Sequence, residues 1–315
     1  MSHGNHSANQ GAPILELQQE APSLERASLI IPEEHISRTG RAQSHWSYYP
    51  APNRTQPGRL LIVGGLGGVE SAYANVAENL AQNGLDTFTM NLPTYQHIHH
   101  QYHRDHLFSP ERLLAQVVRR VVRDIKIEYG DEPVDAAGHS TGGPAIAQAA
   151  DFDNELLHSI TLWQPAGITK GGVVRLGSRI PEVLWNGFKA RDQLRQNLSA
   201  RTPELAREYV GYGVNYPRRI LEAAAVCRSD IREPLTRVVE AGVKVAAVLV
   251  RNDAFFHADE AMRTLERIGG IRAFLMNGCH LLPQANPMGL SEQQLEIQEA
   301  FYQDEPSYDP LPRAA

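Results

Sequence analysis

The chain is poor in cysteine, in long apolar runs and in surplus positive charge, and each shortage removes a class of protein. Only two cysteines, Cys227 and Cys279, occur in 315 residues. They are too few and too far apart for a disulfide framework, so reduced thiols and a cytoplasmic location are expected. No stretch approaches the roughly 18 continuous apolar residues of a spanning helix, so stable membrane insertion is not expected. The opening stretch MSHGNHSANQGAPILELQQEAP lacks the basic start and apolar run of a secretory signal. Lys and Arg number 30 against 36 Asp and Glu, for a net charge of −6. No basic surplus is available to hold nucleic acid.

Several cofactor motifs are missing as well. The glycines of VGGLGGVES suggest a phosphate cradle, but G-x-G-x-x-G fails on spacing: after Gly65, Gly67 and Gly68, position 70 is Glu. No Lys-Ser or Lys-Thr follows them, so a P-loop fails too. Five histidines, His97, His99, His100, His103 and His106, fall close together, and His99 with His103 has the i, i+4 spacing of a metal pair, with Asp105 nearby. H-E-x-x-H is absent, and Pro93 with the polar composition reads as an irregular loop near a pocket mouth. No cofactor and no metal is expected.

What is present is an alternation of strand-like and helix-like segments. RLLIVGG (59–65), LDTFTMNLP (85–93), PVDAAG (133–138), SITLWQP (159–165), VKVAAVLV (243–250) and IRAFLM (271–276) read as strands. Helical spacing marks 69–84, a helix opened by Ser109-Pro110, the segment 141–150, EPLTRVVEAG, 257–270 and 290–301. In the long helix Leu113, Leu114, Val117, Val118, Val121 and Ile125 make the apolar face. The pattern predicts an α/β fold, a mostly parallel sheet with helices on both faces. Residues 166–229 carry helical patterns without a strand and read as an inserted helical cap. The core is then 26–165 with 230–303, between polar tails at 1–25 and 304–315.

Within AAGHSTGGPA (136–145), Gly138, Ser140 and Gly142 match G-x-S-x-G between a predicted strand and a predicted helix. Such a turn lifts a serine hydroxyl to the carboxyl end of the sheet, and its glycines remove clashing side chains. The plain alternative is a polar residue in a glycine-rich bend. A serine nucleophile needs a base and an orienting acid. His280, in NGCHLLPQANP after the last strand, is placed for the base. Asp253, in VLVRNDAFF after VKVAAVLV, is placed for the acid, although taken alone it reads first as a loop aspartate that caps the helix near His257. An oxyanion site needs backbone N–H groups. Thr141 follows the serine, and Leu66 lies in the loop after the first strong strand. Trp163, Phe255 and Phe256 follow strand ends, where they could line an apolar pocket or simply pack at the sheet edge. Cys279 beside His280 is a poor thiol nucleophile, because neighbouring side chains point apart.

From Arg59 to Phe301 the chain resembles the α/β-hydrolase superfamily, through LIVGGLGG, GHSTGG, LVRNDAFF and NGCHLLPQANP in that order. The resemblance implies Ser140 as nucleophile, Asp253 as acid and His280 as base, with the N–H groups of Leu66 and Thr141 as oxyanion hole. Gly64, Gly65, Gly138, His139 and Gly142 would shape the supporting turns, and 166–229 would be the family's cap over an acyl pocket. Two departures stand out. Gly64-Gly65 occupies the place where many members carry His-Gly, which puts the rigidity of that loop in question. The loop after the second strand, NLPTYQHIHHQYHRDH, lacks the family's Asp-x-Arg-Gly-x-Gly pattern. A serine rather than an aspartate at the turn disfavours dehalogenases and epoxide hydrolases. The expected activity is hydrolysis of a carboxylic ester or thioester on a small-molecule acyl substrate. Acyl transfer or thioesterase work in a biosynthetic pathway, and a non-catalytic binding protein on the same fold, are the alternatives.

Overall fold

The computed structural model describes residues 32–39, 42–65, 70–92, 110–169 and 228–303. Along the chain the strands are β1 (Glu33–Thr39), β2 (Ala42–Tyr49), β3 (Arg59–Val63), β4 (Thr87–Met90), β5 (Val134–His139), β6 (Ser159–Trp163), β7 (Lys244–Val250) and β8 (Ile271–Met276). The helices are α1 (Ala74–Gln82), α2 (Pro110–Tyr129), α3 (Gly142–Phe152), α4 (Arg232–Glu240), α5 (Ala258–Ile268), α6 (Leu282–Ala285) and α7 (Pro287–Gln303). A 3₁₀ turn, Glu70–Tyr73, leads into α1. The strands form one sheet in the order β1-β2-β4-β3-β5-β6-β7-β8. From β4 to β8 every neighbouring pair is parallel, while β1 and β2 are antiparallel additions at one edge.

Side chains alternate across each central strand, and this period of two sorts them between two cores. Leu61, Val63, Ala136, Ile160, Leu162, Val245, Ala247 and Leu249 face one layer, packed by α2, α3, α4 and α5. Leu60, Ile62, Ala137, Trp163, Ala246, Val248 and Val250 face the other, packed by α1 and α7. A fully buried aliphatic side chain contributes roughly 2 kcal/mol. Strands buried on both faces therefore read as apolar runs, which is why β3, β6 and β7 stand out in the sequence. The expected sheet with helices on both faces is the observed one. The cap segment lies outside the described residues except for its ends, as do both tails, the His97–His106 run and Cys227.

The edge hairpin of β1 and β2 is an addition to the sequence reading. Its aromatics divide between the two cores, Trp46 and Tyr48 in the layer packed by α2 and Tyr49 in the other. Trp46 stacks on His35 at 4.1 Å between centroids and contacts Phe88 at 5.9 Å. Its indole N–H donates to Ser37 Oγ at 2.9 Å, and that hydroxyl donates to Asp124 on α2. This ties the hairpin to the helix behind it.

At the opposite end of the sheet from the strand C-termini, Asp135 is 1% exposed at the start of β5. Its carboxyl group accepts from Ser159 Oγ at 2.6 Å, His158 Nδ1 at 2.8 Å and Tyr302 at 3.1 Å, and also from the Gln298 amide. Two of these donors belong to α7, so one buried acid joins β5, β6 and the last helix. Removing it strands several buried donors at once. Asp135→Ala is expected to lower stability by about 3 kcal/mol, seen as a lower midpoint of thermal unfolding, whereas Ser159→Ala costs ~1 kcal/mol.

Candidate functional site

Four strands deliver the site at one edge of the sheet. Gly65 follows β3, Ser140 follows β5, the Asp253 loop follows β7 and the His280 loop follows β8. In an open parallel sheet this carboxyl edge is where ligands bind.

Ser140 has φ 53°, a left-handed backbone unusual for a residue with a side chain. Such a residue costs on the order of 1–3 kcal/mol. Three backbone hydrogen bonds hold it there: Ser140 N–H donates to the Trp163 carbonyl at 3.0 Å, and the Ser140 carbonyl accepts from Ala166 at 3.0 Å and Gly143 at 3.2 Å. The turn closes tightly. A Cβ on Gly138 would stand 2.6 Å from the Gly142 carbonyl, and one on Gly142 would stand 2.2 Å from the Val63 carbonyl oxygen. Both positions therefore require glycine.

The structure brings the three separated residues together. His280 Nε2 is 3.2 Å from Ser140 Oγ, and His280 Nδ1 is 2.9 Å from Asp253 Oδ2. A carboxylate only accepts, so Nδ1 carries the proton and Nε2 is bare toward the serine hydroxyl. Ser140 and His280 are each 8% exposed and Asp253 3%. The second carboxyl oxygen, Oδ1, accepts the N–H groups of Phe255 at 2.8 Å and Phe256 at 3.0 Å. Asp253 therefore organises its own turn; α5 begins at Ala258, after His257, without a side-chain cap.

Phe255 and Phe256 stand edge-on to the His280 ring at 4.9 and 5.3 Å. Trp163 is elsewhere. It is 1% exposed within the core beneath the sheet, with its indole N–H on Gln294 of α7 at 3.1 Å, so packing accounts for it. Burial pushes the Cys279 thiol upward, away from the reactive thiolate. Thr141 opens α3 beside the serine, where helix N–H groups lack intrahelical acceptors. Leu66 lies outside the described residues.

Gly65 packs directly on the turn; a Cβ there would meet Ser140 Cβ at 3.0 Å. Its N–H donates to Tyr73 Oη at 2.9 Å, while that of Gly64 donates to the Met90 carbonyl at 3.3 Å. His139 is buried behind the serine. Its Nδ1 is 2.8 Å from Tyr73 Oη and its Nε2 is 3.1 Å from the His280 carbonyl. Desolvation, and then the neighbouring His280, push its pKa down to about 3. Tyr73 and Gln164 escape a reading of the sequence. Gln164, at φ 46°, donates its amide to the Cys279 carbonyl at 2.7 Å.

No protein-family model matches the sequence, and no curated protein matches it. Solved structures do match. An enol-lactonase from Burkholderia xenovorans LB400 is 13% identical with a TM-score of 0.59, over 84% of this chain and 100% of that one. A thermophilic esterase from Thermogutta terrifontis is 12% identical with a TM-score of 0.56, over 86% and 99%. The thioesterase domain from the curacin biosynthetic pathway is 16% identical with a TM-score of 0.56, over 84% and 99%. The fold is that of the α/β-hydrolases. At these identities the likeness is one of fold, and within the α/β-hydrolase fold chemistry has to be argued from the site. Among the described residues, no helix is long and apolar enough to cross a membrane and no group of three or more His, Cys, Asp or Glu is placed to hold a metal ion.

A neutral, buried His139 makes stability depend on acidity. Its folded pKa lies below the unfolded value near 6.5, so the unfolded chain binds the proton more readily. The contribution is complete above about pH 6.5 and is lost as pH falls toward 3. Denaturant unfolding at pH 7.5 and pH 4.5 is expected to show a larger loss on acidification for the native chain than for His139→Gln.

Proposed function

We propose that this protein is a serine hydrolase that cleaves a carboxylic ester or thioester of a small acyl substrate through an acyl-enzyme. The observation that carries the reading is the Ser140–His280–Asp253 hydrogen-bonded chain beside a serine with left-handed backbone. Ser140 Oγ attacks the acyl carbonyl as His280 Nε2 takes its proton. Asp253 holds the Nδ1–H and stabilises the imidazolium that forms. The resulting oxyanion is received by the Thr141 N–H at the start of α3 and by the Leu66 N–H. The choice of Leu66 is supported by its neighbours, since the N–H groups of Gly64 and Gly65 are already donated. His280 then returns the proton to the leaving group. Water, activated by the same imidazole, releases the acid and restores Ser140.

The acyl-enzyme also allows transfer to an alcohol or amine instead of water, the second reading. The likeness to a thioesterase domain and to an esterase fits either leaving group. Phe255 and Phe256 at the His280 ring offer an apolar surface for the acyl or leaving group.

A panel of p-nitrophenyl esters and acyl thioesters of increasing chain length tests this. His280→Ala and Asp253→Asn are expected to reduce kcat about 10⁴-fold, because the base or its orientation is lost. Turnover retained in His280→Ala contradicts the assignment. Adding hydroxylamine or a short alcohol separates hydrolysis from transfer by the product formed.

A further inference from the structure

Between the two loops that the proposed mechanism needs lies a buried polar chain that the mechanism itself does not use. The His280 carbonyl can only accept, so His139 Nε2 must carry the proton it shares with that oxygen at 3.1 Å. Burial keeps the ring neutral, which leaves Nδ1 bare. Tyr73, 2.8 Å away, therefore donates its hydroxyl proton to Nδ1. The phenol oxygen keeps a lone pair for the Gly65 N–H at 2.9 Å. Every bond in the chain points the same way, from Gly65 through Tyr73 and His139 to the backbone of His280. Bonds aligned in this manner reinforce one another in a low dielectric. Tyr73 is 1% exposed and His139 4%, so water offers neither an alternative partner. Gln164 fixes the carbonyl one residue earlier, at Cys279. The peptide groups on both sides of the His280 Cα are thus held by side chains from the ends of β5 and β6.

We infer that Tyr73 and His139 are positioning residues that tie the Gly65 loop, ahead of the oxyanion N–H, to the loop that carries the base, so that the two move as one. This rests on the serine-hydrolase reading for its effect on turnover, though the tie itself does not. Neither side chain hydrogen-bonds a reacting atom, although the His139 ring also lies 5.1 Å, centroid to centroid, from the His280 ring. Their contribution is to geometry, where a shift of about 1 Å costs on the order of 100-fold. The tie also gives the loop a source of rigidity where Gly64-Gly65 has no side chains of its own.

Two measurements on Tyr73→Phe, His139→Gln and His139→Leu test the tie. Tyr73→Phe removes only the hydroxyl. His139→Gln keeps a donor near Nε2 but loses the acceptor at Nδ1, and His139→Leu loses both. With p-nitrophenyl butyrate, kcat is expected to fall about 10- to 100-fold in Tyr73→Phe, with KM within roughly twofold. His139→Gln should recover part of the activity lost in His139→Leu. Hydrogen–deuterium exchange should rise in peptides spanning 276–285 when only the Tyr73 hydroxyl is removed, since that loop is reached through His139. A kcat within about twofold of native in Tyr73→Phe, or unchanged exchange at 276–285, overturns the tie. If the native chain turns over no ester and takes up no fluorophosphonate, the hydrolase reading has failed, and exchange alone then decides whether the loops are tied.

Discussion

Ser140 is held in a left-handed conformation between the ends of β5 and β6, and the rest of the site is arranged around that one backbone geometry. The Trp163 carbonyl takes its N–H and Ala166 donates to its carbonyl, so the turn depends on the neighbouring parallel strand as much as on its own residues. The absence of side chains at Gly138 and Gly142 lets α3 start hard against β3. These contacts direct the hydroxyl at His280 and put the first N–H groups of α3 beside it. A small cost in backbone strain is offset by hydrogen bonds of about 1 kcal/mol each. What results is a fixed position for one hydroxyl, the prerequisite for nucleophilic chemistry.

Buried polar groups at the two ends of the sheet have different uses. At one end Asp135 gathers donors from β6, its flanking turn and α7, and closes the last helix onto the sheet. At the other, Asp253 splits its two oxygens between the His280 ring and the Phe255–Phe256 turn. His139 is kept neutral by burial and serves as donor and acceptor at once. Apart from the Phe255–Phe256 turn, the partners are supplied by segments distant in sequence, so these bonds report the assembled fold rather than local structure.

That distinction explains what could be read in the sequence. The strands β3, β4, β5, β6 and β7 were legible because burial on both faces leaves short runs of apolar and small residues, and the partly buried edge strand β8 was legible from its apolar run IRAFLM. Gly138, Ser140 and Gly142 were legible because one local turn imposes their spacing. Asp253 and His280 were legible only as positions after strands, and it is the parallel order of β5, β7 and β8 that lets them converge. The β1–β2 hairpin was not legible. Its strand residues are largely polar, and its few aromatics divide between two faces, Trp46 and Tyr48 in a cluster completed by α2 and β4 and Tyr49 in the opposite core. Tyr73 falls within the helically spaced segment 69–84, and nothing near it in sequence announces a partner 66 residues away. Trp163 sits at a strand end like the site residues, but the alternation of β6 turns it toward α7.

The central claim is that Ser140 is an activated nucleophile. Intact mass after incubation with a fluorophosphonate probe, followed by peptide mapping, tests it most directly. The account predicts a single adduct on Ser140 that vanishes in Ser140→Ala while the variant stays folded. An adduct at another residue, or none on the folded native chain, would contradict it.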